Sequence, residues 1–136
     1  MNNKNNCLIK VVGFDGSGNK IGVDKSDIPF KIEVVRLLSP NGGVDVNLGD
    51  SVDITWMKNN TRSLVSQIKL YYTKNDGVTW NLITTLDGSA LSHQWTVPPV
   101  SRTKTGCRVK VVLLDGSENI VGSDKSDSTF TIHLWE

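Results

Sequence analysis

The chain has 136 residues, 15 basic against 14 acidic side chains, a formal charge of +1 and 38% apolar residues. Such a composition is globular rather than disordered, and balanced charge without a basic run excludes an electrostatic surface for nucleic acid or anionic membrane. A sandwich of about a hundred residues buries roughly two thirds of its unfolded surface, enough for one core without disulfide or metal.

The chain opens on "MNNKNN", which is polar, and holds no transmembrane run and no signal peptide. We read the start as a cut point in a longer protein. Residues 7–34 then recur at 107–134, with 15 identities over 28 positions and no gap. They include Cys7 with Cys107, Asp15-Gly16-Ser17 with Asp115-Gly116-Ser117, and Asp24-Lys25-Ser26-Asp27 with Asp124-Lys125-Ser126-Asp127. A spacing of about a hundred residues is that of one β-sandwich domain, far above a solenoid repeat. Residues 1–31 therefore read as the C-terminal hairpin of a preceding, truncated repeat, expected to be loosely ordered. Residues 32–136 read as one complete domain.

Within the complete unit, alternation of apolar and polar residues marks half-buried strands. Ile32–Leu38 is the first, closed by the turn residues "SPNGG" (39–43). Val52, Ile54 and Trp56 alternate with Asp53 and Thr55; Ile68, Leu70 and Tyr72 alternate with Lys69 and Tyr71. "KNDG" (74–77) is a turn signal, because Asn, Asp and Gly tolerate positive φ. Trp80 and Leu82 follow, then Trp95 and Val97, closed by "PPVS". Cys107, Val109, Val111 and Leu113 share a face opposite Arg108 and Lys110. "DGSEN" (115–119) is the loop of the last hairpin, with a bend expected near Asp124. Phe130, Ile132 and Leu134 form the final inward row, with Thr131 and His133 outward.

Seven short strands and no helical period predict an all-β, seven-stranded antiparallel sandwich preceded by a partial repeat hairpin. Ile32 and Val34 match the end of the last strand and also begin the next unit, so one module runs into the next without a Gly/Ser linker. Such a joint is stiff.

"SPNGG" (39–43), "ITW" (54–56), "TKNDGVTW" (73–80), "QWTVP" (94–98) and "SDKSDSTFTI" (123–132), in that order, resemble the immunoglobulin-like or fibronectin type III-like repeats of bacterial secreted and surface proteins. Where the family pattern places an acidic residue and then an aromatic after SPNGG, this chain has Val44 and Val46. The resemblance implies a non-catalytic module, secreted or on the bacterial cell surface, used as a structural spacer, an adhesive or protein-interaction unit, or an accessory to an attached enzyme. Its implied partners are adjacent repeats of the same chain, with protein or polysaccharide as further candidates. A monomer is expected, and a domain-swapped dimer is the alternative.

No catalytic constellation emerges. His93 and His133 lie beside inward residues and should face outward, and "GDS" (49–51) lacks a well-spaced base, so it reads as a turn followed by a strand. No cofactor or metal site is expected. Asp15-x-Ser17-x-Asn19 and Asp115-x-Ser117-x-Asn119 start like a calcium loop, but Lys20 or Ile120 stands where such a loop needs glycine. Hairpin turns select the same residues. The Asp-Lys-Ser-Asp segments read as bends held by side-chain-to-backbone bonds. Cys7 and Cys107 lack partners within a domain and read as core thiols. The candidate ligand-binding residues are Tyr71, out of phase with the inward row, and Trp80, beside a turn. An exposed pair of rings would suit a stacked sugar, which makes a carbohydrate-binding module the alternative function.

Overall fold

The computed structural model describes residues 3–134, all of whose regular structure is β. The strands are β1 (Lys4–Cys7), β2 (Lys10–Phe14), β3 (Lys20–Lys25), β4 (Phe30–Ile32), β5 (Val35–Ser39), β6 (Asp45–Asn47), β7 (Ser51–Lys58), β8 (Gln67–Thr73), β9 (Asn81–Asp87), β10 (Ser92–Thr96), β11 (Lys104–Leu114), β12 (Ile120–Lys125) and β13 (Phe130–His133).

From β5 onward these strands form two layers. The smaller sheet has the order β10-β7-β5; the larger runs β6-β13-β11-β8-β9, with β12 also paired to β11. Between the layers lie Leu37, Ile54, Trp56 and Trp95 from one side, and Ile68, Leu70, Val109, Val111, Phe130 and Ile132 from the other. The alternating rows of β7, β8 and β11 thus bury the residues their period of two assigns to one face. The Trp95 ring bridges the layers, 5.4 Å from Tyr72 and edge-on to Phe130 at 6.5 Å. Leu134 departs from the expected inward row: it is 45% exposed, because β13 ends at His133, its last residue paired with β6.

Nine segments stand where seven strands were expected: the last is broken in two, and β6 is an extra strand beyond the SPNGG turn that was expected to close the first; that first strand begins at Val35 rather than Ile32, which belongs to β4. The chain leaves the small sheet after Ser39 and joins the large one as β6, parallel to β13. Glycine is needed at the crossing. Gly42 has φ 127°, and a Cβ there would stand 1.8 Å from Ser128 Oγ. The last strand breaks after Lys125, where Ser126 turns inward and is fully buried. Ser126 Oγ accepts the Val109 N–H at 3.0 Å and donates to Pro40 O at 2.7 Å, so both breaks are held at one place.

The leading segment, expected to be loose, has defined ladders. β1 pairs with β4 and β2 with β3, in the register of the second copy: Cys7 faces Phe30 as Cys107 faces Phe130, and Lys10 faces Lys25 as Lys110 faces Lys125. Local bonds hold it, since Ser26 Oγ accepts the Ile9 N–H at 3.0 Å. Its apolar face is nevertheless uncovered; Val11 is 66% exposed where Val111 is fully buried.

Only Glu33 and Val34 separate β4 from β5. Asn3 Oδ1 accepts the N–H groups of Val34 and Val35 at 2.7 and 3.3 Å, and Asn3 Nδ2 donates to Val35 O at 2.7 Å. From the other side, Asn59 donates its backbone N–H to Val34 O and its side-chain amide to Glu33 O.

Candidate functional site

Tyr71 on β8 stands opposite Lys110 on β11, and Trp80 immediately precedes β9 on the same outer face of the large sheet. The loop between β8 and β9 sets the indole in place. Thr73 Oγ1, fully buried, accepts the N–H groups of Asn75 and Gly77, and Asn75 Oδ1 accepts the Thr79 N–H at 2.9 Å. Asp76 and Gly77 take positive φ of 53° and 88°, as the Asn-Asp-Gly run predicts. Arg108 donates to Asp76 Oδ1 at 2.7 Å and to Ser126 O at 2.6 Å, tying the loop to the sheet.

Lys110 Nζ lies 4.3 Å from the Trp80 ring centre and 5.2 Å from that of Tyr71. An ammonium over a ring face is attracted by the ring quadrupole, and the aliphatic stem covers further apolar surface. Burial holds the Lys110 pKa below the ordinary lysine value, and Lys125, its cross-strand neighbour, pushes the same way. The two sequence-derived candidates therefore do meet on one face, both half-buried. The residue between them was legible only as an outward lysine; its seat over both rings depends on strand register. A sugar stacking on this pair would have to displace the lysine from the ring faces it occupies.

The other candidates are placed as follows. Asp115 Oδ1 accepts the N–H groups of Ser117 and Asn119, both at 2.9 Å, and Asp15 makes the same two bonds. Those amides pull both carboxyl pKa values below the ordinary range. An oxygen so engaged serves the turn. Asp50 of the "GDS" stretch accepts the Asn47 N–H at 2.8 Å, and Ser51 opens β7. Asp87 caps its own turn through Ser89 rather than reaching His93. His133 lies against Asp45 at 3.0 Å. Cys107 is buried, its thiol pKa pushed up by desolvation, and its Sγ donates to Lys104 O; Cys7 is half-buried with the equivalent contact to Lys4 O.

The Asp-Lys-Ser-Asp bend connects the end of the sandwich to its beginning. Asp124 Oδ2 accepts the Leu37 N–H at 2.8 Å, and Asp127 exchanges two bonds with Asn41, through its carboxylate and its backbone N–H. Asp124 is half-buried, and desolvation raises its pKa, with Asp127 and Glu33 adding repulsion. A polar cleft of ≈ 650 Å³ opens beside it, between Asn3, Asn5 and Lys31 of the leading segment and Arg36, Asp124 and Asp127 of the sandwich.

No family model and no curated protein matches the chain. Among solved structures it is similar to the fibronectin(III)-like modules of Clostridium thermocellum CbhA, with a TM-score of 0.51 and 15% identity over 74% of this chain and 94% of that chain. The fold is fibronectin type III-like. This fold alone assigns no function, which depends on what the surface presents. Here the surface presents a lysine-filled aromatic pair, a polar cleft at the joint and a leading segment with an uncovered apolar face.

Proposed function

We propose that this chain is a non-catalytic module of a tandem-repeat protein, and that it works as a stiff structural spacer or protein-interaction unit between like modules. The joint carries the reading. Two residues separate β4 from β5, and Asn3 and Asn59 bond the backbone of that junction from both sides. A spacer needs its units to keep a fixed relative direction, and short bonded joints supply that where Gly/Ser linkers do not. We place it in an extracellular, bacterial setting; the similar solved modules come from the bacterium Clostridium thermocellum.

Backbone 15N relaxation tests the spacer reading. Amides of 4–32 and of 35–133 should report one rotational correlation time, and Asn3→Ala should separate them. Independent tumbling in the unaltered chain would refute it. A carbohydrate-binding module is the second reading, favoured by the convergence of Tyr71 and Trp80 on one face, although Lys110 already occupies both rings.

A further inference from the structure

The face of the leading segment has a counterpart in the second copy whose environment is known. Cys7, Ile9, Val11, Ile21, Phe30 and Ile32 correspond to Cys107, Val109, Val111, Val121, Phe130 and Ile132, all of them buried in the sandwich core. Phe30 is 38% exposed and Phe130 only 2%. The largest loss across the face is Gly13 for Leu113. The backbone matches as well: the same pairings, the same irregularity between positions 13 and 14 as between 113 and 114, and the same serine hydroxyl accepting from position 9 or 109. Asp24 and Asp27 are exposed, whereas Asp124 and Asp127 bond Leu37 and Asn41 of the first strand and its turn. The segment thus holds the shape of the final strands of a sandwich while lacking the body they close.

We propose that residues 7–32 are an exchangeable closing element, able to complete the sandwich of a second copy of this chain in place of β11–β13. The segment cannot close its own sandwich. Leu37 lies level with Asp124 and Val46 with Ile132, so the first and last strands run side by side in the same direction. Val35 and the slot for the segment's end are therefore separated by most of the sandwich, more than about 20 Å at strand rise. The link from Ile32 to Val35 spans at most about 10 Å. In the unaltered chain the covalently attached β11–β13 fills each slot. When that copy is damaged, every molecule has one vacant slot and one spare closing element, and mutual exchange satisfies all of them.

The test uses the full chain and two positions. Val111→Asp places an unpaired charge in the core and disables the resident copy. The V111D chain should remain folded but run as a dimer or larger species in light scattering. Its thiol pattern should invert: Cys7, taking the buried position, should label about tenfold or more slowly than in the unaltered chain, and Cys107 correspondingly faster. Adding Val11→Asp should abolish both the assembly and the protection of Cys7, whereas V11D alone should leave the sandwich melting transition in place. A folded V111D monomer, or protection of Cys7 that survives the second substitution, overturns the proposal. If V111D gives no folded protein, Val111→Ala decides: a dimer fraction rising with concentration and lost on adding V11D upholds exchange, and its absence refutes it.

Discussion

The carboxylate of Asp124 on β12 accepts the backbone N–H of Leu37 on β5 at 2.8 Å, bonding the last strand to the first where no ladder joins them. A side chain here does the work of a missing strand pairing. Asp124→Ala leaves the buried Leu37 without its partner and should cost about 1–2 kcal/mol in denaturant unfolding. Asp124→Asn retains an acceptor oxygen and should cost clearly less.

The same residue gives a pH dependence of defined sign. Desolvation raises the Asp124 pKa above 3.8, so the folded state holds its proton more tightly than the unfolded one. Ionisation above the folded value costs stability, and acidification through that value restores it. Asp87 and Asp115 go the other way: lowered by backbone bonds, their contributions are complete above 3.8 and fade as pH falls below it. The difference in Tm between the unaltered chain and D124N should therefore move in favour of the unaltered chain between pH 7 and pH 4. A difference constant with pH would contradict the assignment.

Paired substitutions in the two copies separate core from uncovered face. Phe130→Ala removes a ring that contacts Trp95 and should cost about 3–5 kcal/mol, whereas Phe30→Ala should leave the sandwich transition within about 0.5 kcal/mol. Ser126→Ala removes the partner of both Val109 N–H and Pro40 O and should cost about 2 kcal/mol; Ser26→Ala should not move the same transition. Thermal or urea melts of all four variants check this.

Lys110→Ala should destabilise by no more than about 1 kcal/mol, as a half-exposed cation–π contact does, while shifting the emission of Trp80 to longer wavelength as its ring gains solvent. With Lys110 in place, pull-down on plant or bacterial polysaccharides should be blank. Retention that disappears in Tyr71→Ala and Trp80→Ala would instead favour the carbohydrate-binding reading.

Calcium should leave the melting temperature unchanged, since Asp15 and Asp115 each spend Oδ1 on two backbone amides. A calcium-dependent rise in Tm would show those turns acting as ligands.

Alternation in residues 52–56, 68–72 and 107–113 was enough to assign the core rows, because a period of two leaves each side chain one of only two faces. The bend at Asp124-Lys125-Ser126-Asp127 was legible too, but not its reason: the run reads as too polar to lie inward, yet Ser126 is fully buried, its hydroxyl satisfied by Val109 N–H and Pro40 O. What escaped was every relation between distant segments. Leu134 continues the apolar alternation, yet lies beyond the last strand pairing and is exposed. Nothing along the chain places Lys110 over Tyr71 and Trp80.

By itself, then, the sequence determined the all-β class, the inward rows of β7, β8 and β11 and the duplication of the closing hairpin, because these follow from local periodicity and from comparing the chain with itself. Tertiary structure alone decided which sheets β5 and β6 join, that Asp124 reaches Leu37, and that Lys110 lies over Tyr71 and Trp80. The two copies share 15 of 28 residues and the same strand register. Their difference lies in what packs against them, and that depends on contacts between residues far apart in the chain.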